Sequence, residues 1–351
     1  MLLRRILFGG VALVLLTYLL FRPPPPGGDD QQLVQEQFAA MGTWFTVSIW
    51  LDAPEERAAA QEAVRDVERA LHAYTRRWQP EGEGALGTLN AQLAEGAVID
   101  VPEDMQPLFA QAAQWRARSG GAFDARVGAL VELWGFHLEE AFRDTPPPEA
   151  AVRRVRERLA EAPAYDGPRY GPAPGVIWNF GAIAKGDAVT QASDRLETAG
   201  FGNHIVNAGG DLVVRGSRSD RAWRIAVRHP RPSATQQLLA AIEVEDEAVF
   251  TSGDYERWFT HEETRYHHIL NPDSGQPARG LQSVTVVTDS GIDADAASTA
   301  LFVAGDAWRQ MARQLDMDTV VVVYDDGTLG MTEAARARFN RIADAELRPA
   351  P

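Results

Sequence analysis

Asp295 and Thr299 carry the most telling chemistry of this 351-residue chain. They lie in the run DSGIDADAASTALFVA at 289–304, directly after the strand-like SVTVV. Four residues apart on a helix, they fall on one face, a turn apart. A carboxylate and a hydroxyl so placed make a hard-oxygen site, the kind Mg²⁺ prefers when it also holds substrate phosphates. Asp295 equally fits the N-cap of a helix over 296–304, a common role for Asp just before an apolar run. The spacing alone leaves both roles open.

Other segments could contribute to the same site. Asn179-Phe-Gly-Ala-Ile-Ala-Lys-Gly186 opens a helix predicted over 183–198. Gly181 and Gly186 let backbone approach a ligand closely, a helix N-terminus offers N–H groups to an anion, and Lys185 adds a positive charge. The spacing is not that of a Walker A loop. Asn207-Ala-Gly-Gly-Asp211 reads as a tight turn before a strand, and Thr251-Ser-Gly-Asp254 as a strand end able to bind an anion or simply to turn. His267 and His268 are adjacent on a predicted strand and point to opposite faces, so at most one lines a given site and a two-His metal site is disfavoured. In Ala122-Phe-Asp-Ala-Arg-Val-Gly128 and the following Leu133-Trp-Gly-Phe136, Phe123, Trp134 and Phe136 read as core, with Asp124 the carboxylate among them. Trp78 ends a helix before a glycine-rich loop and is either core or a stacking surface for a planar ring.

These segments need elements to hold them. Apolar residues at Ala60, Ala63, Val64, Val67, Ala70, Leu71 and Tyr74 predict a helix over 55–78. Further helices are expected over 104–118 and 149–161, with a loop over 80–87. Strands are expected over 37–51, with a bend at Gly42, and at 205–215, 222–228, 238–244, 247–251, 265–270, 282–288 and 319–324. Strands in runs and helices elsewhere indicate α+β: one compact catalytic domain over 37–345 with a mostly antiparallel sheet and clustered helices. The last 15 or so residues are charged and expected to be loosely ordered.

The composition narrows the partners. A net charge of −15 argues against nucleic acid and anionic membrane surfaces, and an apolar share of 45% is ample for a core. The absence of cysteine excludes disulfides, thiolate metal sites, a Cys nucleophile and a lipid-bearing Cys. Arg4 and Arg5 precede the apolar tract Ile6–Phe21, and no small-x-small cleavage motif follows it. That pattern favours an uncleaved signal anchor over 1–22, although the tract is short of the roughly 20 residues of a full span. Residues 23–36 then read as a Pro-rich linker.

Taken together, Met41-Gly-Thr43, Trp78 before PEGEGALGTLN, the 122–128 and 133–136 segments, Gly181-Ala-Ile-Ala-Lys-Gly186, Asn207–Asp211, Thr251–Asp254, His268-Ile-Leu-Asn-Pro-Asp-Ser-Gly275 and Ala294-Asp-Ala-Ala-Ser-Thr299 resemble the ApbE-type FAD:protein FMN transferases. The matches run in family order from about residue 39 to 330. The resemblance implies an exported, Mg²⁺-dependent enzyme that splits FAD at its pyrophosphate, joins FMN to a Ser or Thr hydroxyl of an acceptor protein, and releases AMP. It implies flavin contacts from Met41, Trp78, Ala122, Phe123, Asp124, Asn179, Lys185, His268 and Ile269. It implies Mg²⁺ ligands from the backbone oxygen of Ala182, Asp295 and Thr299. His268 becomes the candidate acid/base, with Asp295 assisting, while Trp78 and Phe123 would flank planar parts of FAD. The acceptor would be a membrane redox subunit, and the enzyme would sit on the bacterial inner membrane facing the periplasm. Asn179 departs from the family's usual Asp, and the lipid-bearing Cys of many members is absent. Rival readings are a periplasmic FAD pyrophosphatase, a non-catalytic FAD-binding protein and an anchored interaction domain.

Overall fold

The computed structural model describes residues 32–137, 142–231, 238–341 and 346–348. The expected anchor over 1–22 and linker residues 23–31 lie outside them. β1 (Leu33–Ala40) and β2 (Thr43–Trp50) form a hairpin. Its turn is Met41-Gly42, both at positive φ (51° and 71°), the geometry of a tight two-residue hairpin connection. Residues 33–36, expected in the linker, therefore belong to the sheet. α1 (Arg57–Trp78) buries Ala60, Val64, Val67, Leu71, Tyr74 and Trp78 along one stripe. α2 (Ala85–Ala94) begins where a loop is expected, because Gly82, Gly84 and Gly87 mask its pattern. Gly87 is required there by packing: a Cβ on it would lie 2.4 Å from the Gly82 carbonyl oxygen.

β3 (Ile99–Asp100), α3 (Gln106–Arg118), α4 (Gly128–Leu133), α5 (Glu149–Glu161) and β4 (Arg169–Tyr170) follow, and then α6 (Ala184–Thr198). The strand expected over 205–215 is two strands, β5 (His204–Ala208) and β6 (Asp211–Arg215). They fold back at Gly209 and Gly210, with φ of 69° and 114° that side chains rarely tolerate. Next come β7 (Trp223–Arg228), β8 (Leu238–Val244), β9 (Ala248–Gly253), and the hairpin β10 (Trp258–His261) and β11 (Thr264–His267). β12 (Leu281–Thr288), α7 (Gly291–Ala304), α8 (Trp308–Gln314), β13 (Thr319–Tyr324), β14 (Leu329–Met331), α9 (Glu333–Arg338) and β15 (Asn340–Arg341) complete the chain. Residues near the C-terminus, expected to be loose, include β15 paired with β8.

The main sheet has the order β1-β2-β5-β6-β9-β12-β13-β14, every neighbouring pair antiparallel. This is the α+β architecture expected. α6 and α7 pack side by side on one face, and the smaller sheet β15-β8-β7 covers the other. Period-two alternation divides β13 between the two cores: Val320 and Val322 face the helices, Val321 and Val323 the small sheet. A strand covered on both faces reads as a near-continuous apolar run, as the four valines of TVVVVY do. Each such valine contributes roughly 1.5–3 kcal/mol of burial. Among the described residues, no helix is long and apolar enough to cross a membrane.

Candidate active site

α7 starts four residues before Asp295. Its N-cap is Ser290, whose hydroxyl accepts the Asp293 N–H at 3.2 Å. Asp295 is therefore not a cap. It sits in the second turn, 5% exposed, on the same helix face as Thr299. Its Oδ2 accepts the N–H of Gly186, in the first turn of α6, at 2.8 Å. This needs the two helices almost in contact. A Cβ on Gly186 would lie 2.3 Å from the Gly291 carbonyl oxygen, and one on Gly291 would lie 2.6 Å from Thr190 Oγ1. Gly186 is in the first turn of α6, where N–H groups have no helical carbonyl to pair with, and Asp295 satisfies it. The positive end of α6, expected to receive a ligand anion, already faces the protein's own carboxylate.

Beside Gly186, Lys185 pairs with Asp211 at the start of β6, and Asp211 also accepts the Thr251 N–H at 2.8 Å. Burial alone would lower the Lys185 pKa, but attraction to Asp211 and Asp295 outweighs it and keeps the ammonium charged. Burial, with Asp211 nearby, pushes Asp295 up to about 7 despite Lys185. The buried group thus holds two carboxylates to one ammonium. Hydroxyls line the same edge: Ser252 Oγ lies 2.8 Å from Ser298 Oγ and 3.2 Å from Thr299 Oγ1.

His268 follows β11 and is half-buried. Burial, then the charge of Arg257, with His267 and Lys185 adding to it, holds its pKa down at about 3, so the imidazole is neutral. Its Nδ1 is buried without a hydrogen-bond partner. His267 points the other way, as expected: it is buried against Phe302, its ring 5.4 Å from that of Phe302, and its Nε2 bonds the Ala278 carbonyl at 2.8 Å. Ile269 is buried in the core. Trp134 buttresses the turn after it, donating to the Gly275 carbonyl at 2.8 Å and stacking on Tyr266.

Other expected contacts are placed differently. Trp78 is not an open stacking face. It is 7% exposed and meets Phe180 edge-on at 4.8 Å, with Phe109 and Tyr74 around it. Phe123 is 1% exposed and lies in the same core. Asp124, next to half-buried Ala122, has its carboxylate held by Arg126 and Arg116 at 2.7–2.9 Å. Asn179 uses its Oδ1 to accept the Gly181 N–H at 2.9 Å, and so shapes the turn into α6. Either an amide or a carboxylate can do this, so Asn179 keeps the turn and loses only a charge. Met41 is half-buried at the hairpin, its N–H on Thr75 Oγ1 at 3.3 Å. Asp211, Ser252 and Ser298 join the site; the sequence placed them within candidate segments without singling out any of the three. Their signals were the glycine pair before Asp211 and the small polar end of β9.

The donors present fit Mg²⁺. Asp295, the Thr299 hydroxyl and the Ala182 carbonyl ahead of α6 are all hard oxygens. Among the described residues no cluster of three or more His, Cys, Asp or Glu side chains forms a metal cage. A lone carboxylate suits an ion that keeps waters and binds substrate phosphates. The excess buried negative charge would be offset by a cation.

The chain is similar to known proteins over most of its length. The ApbE family matches residues 41–323. An FAD:protein FMN transferase of Rhodobacter capsulatus is 36% identical over 88% of this chain, which spans 59% of that relative. One from Haemophilus influenzae is 25% identical over 87% of this chain and 90% of its own length. Among solved structures, the ApbE protein of Thermotoga maritima superposes with a TM-score of 0.76 at 28% identity, covering 88% of this chain and 99% of its own. Apo flavinyl transferase ApbE of Pseudomonas stutzeri gives 0.74 at 28% identity, covering 88% and 96%.

Proposed function

The chain belongs to the ApbE family, and we propose that it is an FAD:protein FMN transferase acting with Mg²⁺ on a Ser or Thr hydroxyl of an acceptor protein. The observation that carries this reading is the buried Asp295 clasping the first turn of α6, with Lys185 and the Thr299 hydroxyl beside it. FAD would bring its pyrophosphate to this edge. Mg²⁺ held by Asp295, Thr299 and the Ala182 carbonyl would neutralise charge on the pyrophosphate oxygens. Lys185, kept protonated by Asp211 and Asp295, adds a fixed positive charge. His268, neutral at physiological pH, takes the proton of the acceptor hydroxyl as its oxygen bonds to the FMN phosphorus. The bond to the AMP phosphate oxygen breaks, and AMP leaves with that electron pair. Positioning and electrostatics supply most of such a reaction's acceleration.

Arg4, Arg5 and the apolar tract that follows support a signal anchor, with the catalytic domain on the periplasmic face of a bacterial inner membrane. An enzyme held there suits a membrane redox subunit as acceptor. Calorimetric titration with FAD and FMN, with and without Mg²⁺, tests the pyrophosphate site. The expected result is tighter binding of FAD than FMN, lost in EDTA and in Asp295→Ala. Equal, metal-independent affinities would contradict it.

A further inference from the structure

Asp187, one residue beyond Gly186, is a carboxylate at the entry of α6 that the chemistry above does not use. It is half-buried and turned toward α1. The buried Tyr74 donates its hydroxyl to Asp187 Oδ2 at 2.7 Å. The Gln191 amide, one turn further along α6, donates to the same oxygen at 2.8 Å. Among the described residues, Oδ1 accepts no hydrogen bond. Two donors on one oxygen fix the carboxylate's rotation and leave the other oxygen presented at the helix entry. Burial, then Asp187 and after it Asp295, raise the Tyr74 pKa well above its ordinary value. The hydroxyl therefore stays a donor, and Asp187 stands at the edge of the group around Asp295.

The place of Asp187 selects one half of FAD. α6 packs on α1 along one side and on α7 along the other. His267 rests on Phe302 of α7, which puts the adjoining His268 on the α7 side. The acceptor oxygen attacks the FMN phosphorus beside His268, so the FMN half lies toward α7 and the AMP half extends toward α1 and Asp187. A carboxylate carries acceptors only and repels phosphate oxygens, so its partner there is a donor. The donors of the AMP half are the ribose hydroxyls and the adenine amino group. The ribose is joined directly to the phosphate, and so lies nearest the edge formed by Lys185 and Gly186; the amino group stands at the far end of the base.

We propose that Asp187 is a specificity-determining residue whose Oδ1 accepts a hydrogen bond from a hydroxyl of the adenosine ribose of FAD. Tyr74 is the positioning residue that orients it. A clasp joining α1 to α6 uses only Oδ2; the ribose takes the oxygen that the clasp leaves over.

The inference rests on the transferase reading, and two readouts separate them. The full chain is titrated calorimetrically in Mg²⁺ with ADP, 2′-deoxy-ADP and 3′-deoxy-ADP, which keep the pyrophosphate, and with FMN. FMN attachment to acceptor proteins by the same FAD-loaded protein is read by mass spectrometry. A hydrogen bond to a charged group is worth roughly tenfold or more in affinity, so at least one deoxy nucleotide should bind about tenfold weaker than ADP. In Asp187→Asn, Tyr74 and Gln191 hold the amide oxygen, and the NH₂ group replaces Oδ1. The preference for ADP should then fall at least about threefold, while FMN affinity and melting temperature hold. Asp187→Ala combined with Tyr74→Phe leaves no buried hydroxyl unpaired, and should erase the preference. Equal binding of ADP and both deoxy forms by the native protein, or a preference that survives the double change, would overturn the contact and leave the transferase reading intact. Ribose-dependent binding with no FMN attached to any acceptor would instead refute the transferase reading and leave the contact standing.

Discussion

Replacing Gly186 by alanine tests the contact on which the site depends. The new Cβ would lie 2.3 Å from the Gly291 carbonyl oxygen and 2.9 Å from the Cβ of Asp295. Ordinary contact begins near 3.4 Å, so α6 must retreat by about 1.1 Å. That stretches the 2.8 Å bond from Gly186 to Asp295 to about 3.9 Å, outside hydrogen-bonding range. Overpacking costs roughly 1–3 kcal/mol and the lost bond to a buried charge roughly 1.5–3, with about 1 returned by alanine's helix propensity. The net loss is roughly 2–5 kcal/mol, less than the stability of most domains, so the variant should still fold. Its melting temperature should fall by about 3–8 °C, and turnover by about 10²-fold, since a shift of 1 Å misaligns reacting groups. Thermal melts and steady-state kinetics of FAD cleavage read the two effects. Gly291→Ala should be destabilised for the same reason and partly rescued by Thr190→Ala, which removes the oxygen 2.6 Å from the new Cβ. A Gly186→Ala protein with native melting and native turnover would refute the contact.

Four further outcomes follow from the same geometry. His268→Ala should lower FMN transfer at least about tenfold with FAD binding retained, as loss of acid/base help requires; retained transfer rates would remove His268 from the chemistry. His267→Ala, in contrast, should be destabilised as well, because its ring fills space against Phe302. Burial depresses His204 and His267 to about 4, so the stability they contribute is present above about 6.5 and lost as pH falls from there through 4. That loss is roughly 3 kcal/mol per group, and urea unfolding at stepped pH should show a flatter acid slope in His204→Gln. Trp78→Ala should cost roughly 3–5 kcal/mol as a core truncation, with melting falling whether or not FAD is present; an unchanged melting temperature would return Trp78 to the ligand.

Elements with an unambiguous period were legible in the sequence. The stripe from Ala60 to Tyr74 could only be a helix, and the valine run of β13 was legible as a strand. What escaped depends on contacts distant in sequence. α2 was hidden by glycines whose reason is a neighbouring carbonyl, and the Gly209-Gly210 fold divided one expected strand in two. Asp295 fitted a cap because Asp is common just before an apolar run; the Ser290 hydroxyl takes that role instead. Asp211 could not be assigned from spacing, because its partner, Lys185, is 26 residues away. Trp78 illustrates the reverse: an aromatic at a helix end before a glycine loop resembles a ring-binding surface until Phe109 and Phe180 are placed around it.

The most direct measurement is AMP release from FAD and Mg²⁺ by the full chain, taken together with mass spectrometry of Ser- and Thr-containing acceptor proteins and peptides in the same reaction. The account predicts AMP in equal amount to FMN bound at a Ser or Thr hydroxyl, and neither product when EDTA is present or acceptor is withheld. AMP released at the same rate without any acceptor would make the protein a hydrolase, and no AMP under any condition would make it a binding protein.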